Sequence, residues 1–231
     1  QKPSKLTDEE FDVMKTHTTI GYKICMNDLK LRPYAAGPLY HHEALNGTGY
    51  PQGLTKKDIP YEGQIIRVAD EYDAIVSKRQ YKSHIGITDT IKILIDNTKP
   101  FSNVDSSVAV KHLSENAKLG KDNPIIVKAL ISVVIEDINY EISCSLDYLS
   151  NLESTIKRLK IAKDYNDKML KASNDKKRQY YFEGVKSYLA PEENPENFEN
   201  VLSEYVIAYD NKKAHIAHLQ DEIKKIKKLR V

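Results

Sequence analysis

The chain has 231 residues and a formal net charge of +2, long enough for one large domain or two small ones and too near neutral for general nucleic-acid electrostatics. Its two cysteines, Cys25 and Cys144, lack paired spacing and read as a reduced, cytoplasmic protein. No run reaches the roughly eighteen apolar residues of a membrane span and nothing resembles a signal peptide, while the start at Gln1 without methionine reads as a fragment.

Thr7 and Glu10 make a capping box, so a helix is predicted to start at Asp8. Phe11, Met14, Ile20 and Ile24 recur at helix-like intervals, with His17 in the same segment. Read alone, His17 is a partly buried histidine bonded to a backbone carbonyl. Leu29 to Pro38 holds two prolines, and Leu39 to Glu43 is expected to end a short helix. Successive helical residues diverge by about 100°, so His41 and His42 on that helix would not point at one spot. They could serve two neighbouring metal ions, or one could bind while the other supports it. One exposed and one core histidine is the alternative. Asn46 to Pro60 is loop-like, with Gly47 and Gly49 beside the paired histidines. Glu62 to Ser77 reads as a helix, with Asp70 and Asp73 one turn apart.

Arg79 and Lys82 form a basic cluster that, alone, is an ordinary solvated one. Helices are predicted over Thr88 to Asn97 and Val108 to Leu119, separated by a break at Pro100 to Ser107. Ile125 to Ile138 is apolar nearly all round and reads as a buried helix. From about Ile142 the character changes. Leu146, Leu149, Leu152, Ile156 and Leu159 form a stripe, and Ile216, Leu219, Ile223 and Ile226 a weak heptad. Breaks at Ala172 to Lys177 and Pro191 to Pro195 leave three amphipathic helices, a hairpin or bundle able to dock on the main domain or on a second copy as a homodimer. The basic run Lys224 to Arg230 reads as a solvated helix face, which argues against nucleic acid as a partner. Strand alternation is absent, so the expected class is all-α.

His41-His42-Glu43, Gly49-Tyr50-Pro51-Gln52-Gly53-Leu54, Ile59-Pro60, Val68-Ala69-Asp70 and Asp73-Ala74, in this order, resemble the HD-GYP domains. The resemblance covers roughly Lys2 to Val134. It implies an all-helical HD-GYP-like domain over 1–141 and a C-terminal helical extension over 142–231. It also implies metal-dependent hydrolysis of cyclic di-GMP to linear pGpG or GMP. By the same resemblance His17, His41, His42 and Asp70 are metal ligands, with Glu43 and Asp73 supporting them. Tyr50, Arg79 and Lys82 then contact the substrate phosphates. The metal is expected to be iron or manganese, although zinc, cobalt and nickel suit the same donors.

The family's His-Asp doublet has no counterpart here; the pattern places it upstream of Gln1. The resemblance therefore implies impaired hydrolysis by this chain. The alternative is a degenerate cyclic-dinucleotide-binding or protein-interaction and dimerisation module. Three further departures are Asn46 in place of aspartate, Gly63-Gln64 in place of Ala-Arg, and Gln80 in place of proline.

Overall fold

The Thr7 capping box forms: Thr7 Oγ1 accepts from the Glu10 amide at 3.3 Å, and the Glu10 carboxylate accepts from the Thr7 amide at 2.8 Å. It starts α1, Asp8–Asn27, with Asp8, Glu9 and Glu10 complementing the positive end of the helix dipole. A computed structural model describes residues 6–77, 85–100, 119–191, 193–194 and 197–231. Arg79, Lys82, Gln80 and the predicted helix from Val108 lie outside the described residues. After a 3₁₀ turn at Arg32–Tyr34 come α2 (Ala36–Tyr40), α3 (Tyr61–Val76) and α4 (Ile87–Asn97). Then follow α5 (Pro124–Leu170), α6 (Asp175–Ser187) and α7 (Phe198–Lys227). The class is all-α: the described residues contain no strand, only an isolated bridge between Asn46 and Thr55. None of the described helices is long and apolar enough to cross a membrane.

The chain divides into two compact units, 1–135 with 224–231, and 136–223. In the first, α2 packs on both α1 and α3, and α3 on α4. Ile91, Leu94 and Ile95 of α4 are buried, each contributing about 1.5–3 kcal/mol by removal from water. Gly63 explains one departure from the family pattern. A Cβ there would lie 2.8 Å from the Tyr40 Cβ, so glycine lets α2 sit directly on α3. Gln64 next to it is buried, donating to the Ile59 carbonyl at 3.0 Å and accepting from Asn123 at 2.8 Å.

Two helix expectations need correction. Ile125 to Ile138 does not form a separate buried helix; α5 runs on for 47 residues because no glycine or proline occurs between 125 and 170 to stop it. Nor is that stretch buried all round, since Ile125 is 70% and Val133 51% exposed. The apolar stripe of α5 is also displaced at its start. Leu146 is 51% exposed, and the buried positions are Ile142, Ser145, Leu152 and Leu159. Ile138, Ser145, Leu152 and Leu159 recur every seven residues, about two turns, and Leu146 lies about 100° round the axis from that line.

The second unit builds its core from Leu159, Ala162, Val185, Phe198 and Leu202. Arg158 closes it at the rim, donating to both Glu193 oxygens and to the Tyr188 carbonyl, each at 2.6 Å. That guanidinium holds the Glu193 carboxyl below its usual range. α6 is capped by Asn174, whose side chain accepts from the Lys177 amide at 2.9 Å.

Candidate metal centre

His17 projects from α1, and its Nδ1 lies 2.7 Å from the Met14 carbonyl. His41 follows the last residue of α2, with Nδ1 2.9 Å from the Pro38 carbonyl. A carbonyl only accepts, so in both rings Nδ1 carries the proton and Nε2 is left bare when the imidazole is neutral. The two Nε2 atoms face each other at 3.1 Å. Two lone pairs at that distance repel, and the arrangement becomes favourable only with a shared proton or cation between them. Carbonyl-anchored Nδ1 with outward Nε2 is the orientation metal-bound histidines adopt.

His42 joins this cluster, contrary to the helix-divergence argument. α2 stops at Tyr40, and Glu43 N bonds back to the Tyr40 carbonyl at 3.0 Å, so His41 and His42 occupy a turn rather than a helix. Their ring centroids are 4.1 Å apart, and His17 lies 5.0 Å from His42. One ligand atom from each of the three rings lies within 4.8 Å of the others. Burial, followed by the charges of His41, His17 and Arg67, pulls His42 down to about 3. Burial also lowers His41, against the opposing pull of the Pro38 carbonyl. Neutral imidazole, the ligating form, is thereby favoured at neutral pH. Three imidazoles suit a divalent transition metal, and this donor set fits one.

The turn that follows closes over the cluster. Tyr50 stacks on His42 with centroids 4.6 Å apart, and its amide donates to the His42 carbonyl at 3.1 Å. Gly49 makes this possible: a Cβ there would fall on His42 O, Glu43 Cα and Ala44 N. Glu43, 1% exposed, accepts from the amides of Gln52 at 2.7 Å and Leu54 at 2.8 Å. Its carboxylate therefore ties down the loop that carries Tyr50. Asn46 Oδ1 accepts from Thr48 N and Oγ1, so the amide still shapes the turn where the family pattern has a carboxylate.

Asp70 on α3 is exposed and outside the three-histidine group, yet near enough that its charge favours the His41 proton and, after burial, raises Tyr50. Asp73 is exposed in the last turn of α3 and accepts from Ser77 Oγ at 3.1 Å. Sequence reasoning passed over Arg67, whose guanidinium is buried one turn before Asp70. It donates to Asp122 at 2.8 Å, to Glu71, and at 3.4 Å to the His42 carbonyl. Burial, then the Asp122 carboxyl, pushes Glu71 up to about 7. Asp122 Oδ2 is buried without a donor among the described residues; a proton on Glu71 would supply one. The i,i+4 spacing of Arg67 and Glu71 was visible in the sequence, but Asp122, 55 residues away, was not. Lys15, also overlooked, places its ammonium 6.0 Å from the Tyr50 ring centre.

The sequence profile of the HD domain matches residues 1–108. This part of the chain is therefore similar to the HD domain family. The HD segment is 50% identical over 84 residues to a cyclic di-GMP phosphodiesterase of Thermotoga maritima, covering 36% of this chain and 23% of that protein. It is 45% identical over 83 residues to a cyclic di-GMP phosphodiesterase response regulator of Xanthomonas campestris pv. campestris, covering 35% and 22%. A 3'3'-cGAMP-specific phosphodiesterase of Vibrio cholerae is 37% identical over 83 residues, covering 35% and 16%. The match thus spans less than a quarter of each of these relatives. Their names and the HD family agree with the HD-GYP resemblance of the motifs.

Proposed function

We propose that the HD segment is part of a metal-dependent phosphodiesterase for cyclic dinucleotides, with cyclic di-GMP the substrate and linear pGpG or GMP the product. The observation that carries this is the His17–His41–His42 cluster, with bare Nε2 atoms opposed at 3.1 Å and both Nδ1 atoms anchored on carbonyls. A bound divalent ion supplies Lewis acidity toward a phosphoryl oxygen and lowers the pKa of its water. The chain's own residues hold and orient: the three imidazoles with Asp70 bind the ion, and Tyr50 meets a phosphate oxygen. Arg79 and Lys82 are proposed for the remaining phosphate charge, a fork and a point charge suited to it. Glu43 and Asp73 keep the loop and the end of α3 in place. Iron or manganese is the proposed metal, since imidazole and carboxylate together suit either. No His-Asp doublet occurs in these 231 residues, so the metal donors are few and turnover by this chain is proposed to be weak.

The test is metal content by plasma mass spectrometry, then product analysis with cyclic di-GMP and 3'3'-cGAMP in parallel. The expected result is about one ion per chain, lost in His42→Ala, and manganese-dependent formation of linear product, lost in His42→Ala/Asp70→Ala. Hydrolysis that survives that double substitution would remove the proposal. Tight dinucleotide binding without any hydrolysis would instead select the degenerate module. We also propose self-association through the second unit's helices, where Leu146 and Ile207 expose apolar side chains. Light scattering that finds only monomer would dismiss it. A reducing, cytoplasmic setting is proposed from the free thiols of Cys25 and Cys144.

A further inference from the structure

Arg67 of α3 donates within its own helix and to two other segments. Nε donates to Asp122 Oδ1 at 2.8 Å, Nη2 to Glu71 Oε1, and Nη1 to the His42 carbonyl at 3.4 Å. The acidic partners are themselves fixed. Asn97 at the end of α4 donates to Glu71 Oε2 at 3.0 Å, and its carbonyl accepts from the amides of Lys121 at 2.7 Å and Asp122 at 3.2 Å. The Lys121 carbonyl in turn accepts from the Leu45 amide at 2.9 Å, three residues past His42. The turn that carries the paired histidines is therefore held from below by the same segment that holds Arg67.

Most of this arrangement would be ordinary core bonding but for the target of Nη1. The His42 carbonyl accepts from two donors, Tyr50 N on the loop side and Arg67 on the α3 side, and these use both of its lone pairs. A metal ligand has to be held to within about 0.5 Å for a site to form, and neighbouring hydrogen bonds provide that restraint. A planar fork with five donors can meet three acceptors at set angles, whereas a lysine ammonium cannot reproduce that geometry.

We propose that Arg67 is a positioning residue of the metal centre: it clamps the His42 main chain to the half-buried Glu71 and the buried Asp122 and so sets where His42 meets His17 and His41. The inference rests on the metal reading above and deepens it, assigning to Arg67 a role that neither the HD match nor the motifs supply.

The test uses the full 231-residue chain as wild type, Arg67→Lys and Asp122→Asn, with Leu94→Ala as a control for simple loss of stability. Cobalt(II) titration followed by visible absorption reads the affinity and geometry of the site. Two-bond proton–nitrogen spectra of the imidazoles read the metal-free chain. Expected for both variants are retained helicity, cobalt affinity reduced about 10–100-fold, and an altered absorption band. His42 ring signals should move while those of His17 stay, and Leu94→Ala should change none of these. Wild-type cobalt binding and unmoved His42 signals in both variants would overturn the proposal. So would collapse of helicity in both, which would make Arg67 a core residue and nothing more. If the wild type takes up no cobalt, the metal reading fails by itself, and the imidazole spectra still decide whether Arg67 orients His42.

Discussion

Replacing Glu43 with glutamine isolates the anchor of the Tyr50 loop. The buried carboxylate accepts from Gln52 N at 2.7 Å and Leu54 N at 2.8 Å. Hydrogen bonds to a charged group contribute about 1.5–3 kcal/mol each. Glutamine keeps one acceptor oxygen, now neutral, and turns an NH2 group toward the other amide, so one bond is lost and one weakened. Gln52 is exposed, so water takes over part of the loss on that side, and Leu54 is half-buried, so less is recovered there. The net cost is about 2–3 kcal/mol. Amide hydrogen exchange reads this locally, because exchange under fast reclosing follows the population of the open loop. At about 1.4 kcal/mol per tenfold, the Gln52 and Leu54 amides should exchange about 30–150-fold faster. Amides in the middle of α4 should keep their protection. Exchange within roughly threefold of wild type at both amides would refute the reasoning, since a lost anchor cannot leave the loop equally closed.

Gly49→Ala should abolish stoichiometric metal uptake while leaving helicity near wild type, because its Cβ pushes on the main chain of 42–44 rather than on a helix; circular dichroism with metal analysis checks both halves. In the metal-free chain, His42 stays neutral down to about 3 when folded and takes its proton near 6.5 when unfolded. Its contribution to stability is therefore present above pH 6.5 and lost as pH falls toward 3. Glu71 runs the opposite way: its folded pKa of about 7 exceeds the ordinary 4.5, so its contribution is present below 4.5 and lost as pH rises through 7. Between pH 4.5 and 6.5 the two oppose each other. Glu71→Gln should make stability rise more steeply with pH there than in wild type, and parallel urea-unfolding profiles would contradict the assignment. Leu152→Ala should cost about 2–5 kcal/mol in urea unfolding, while Leu146→Ala should stay within about 0.5 kcal/mol, the reverse of equal membership in one stripe.

Much of the fold was legible because its determinants are local. The Thr7–Glu10 box starts α1 where predicted, and α3 and α4 lie within one residue of the expected bounds at each end. Both amphipathic breaks after Leu170 also appear. The errors share a cause. Apolar content alone suggested that Ile125 to Ile138 was enclosed, but what covers a helix face depends on other segments. Leu146 was assigned to a stripe by hydrophobicity when the 3.6-residue period had already rotated past it.

Chain chemistry by itself supplied the candidates for metal and phosphate, because imidazole, carboxylate and the Gly-Tyr-Pro turn are recognisable without coordinates. Tertiary structure alone decided that His41 and His42 share one point. A helix would have separated them by about 100°, and the turn stabilised by Glu43 N to Tyr40 O does not. It also decided the role of Arg67, whose acidic partner Asp122 is 55 residues distant and becomes a neighbour only when α3, α4 and the 119–123 segment pack together. Spacing along a chain encodes contacts within a helix turn; a buried guanidinium and the carbonyl it steadies meet only through packing.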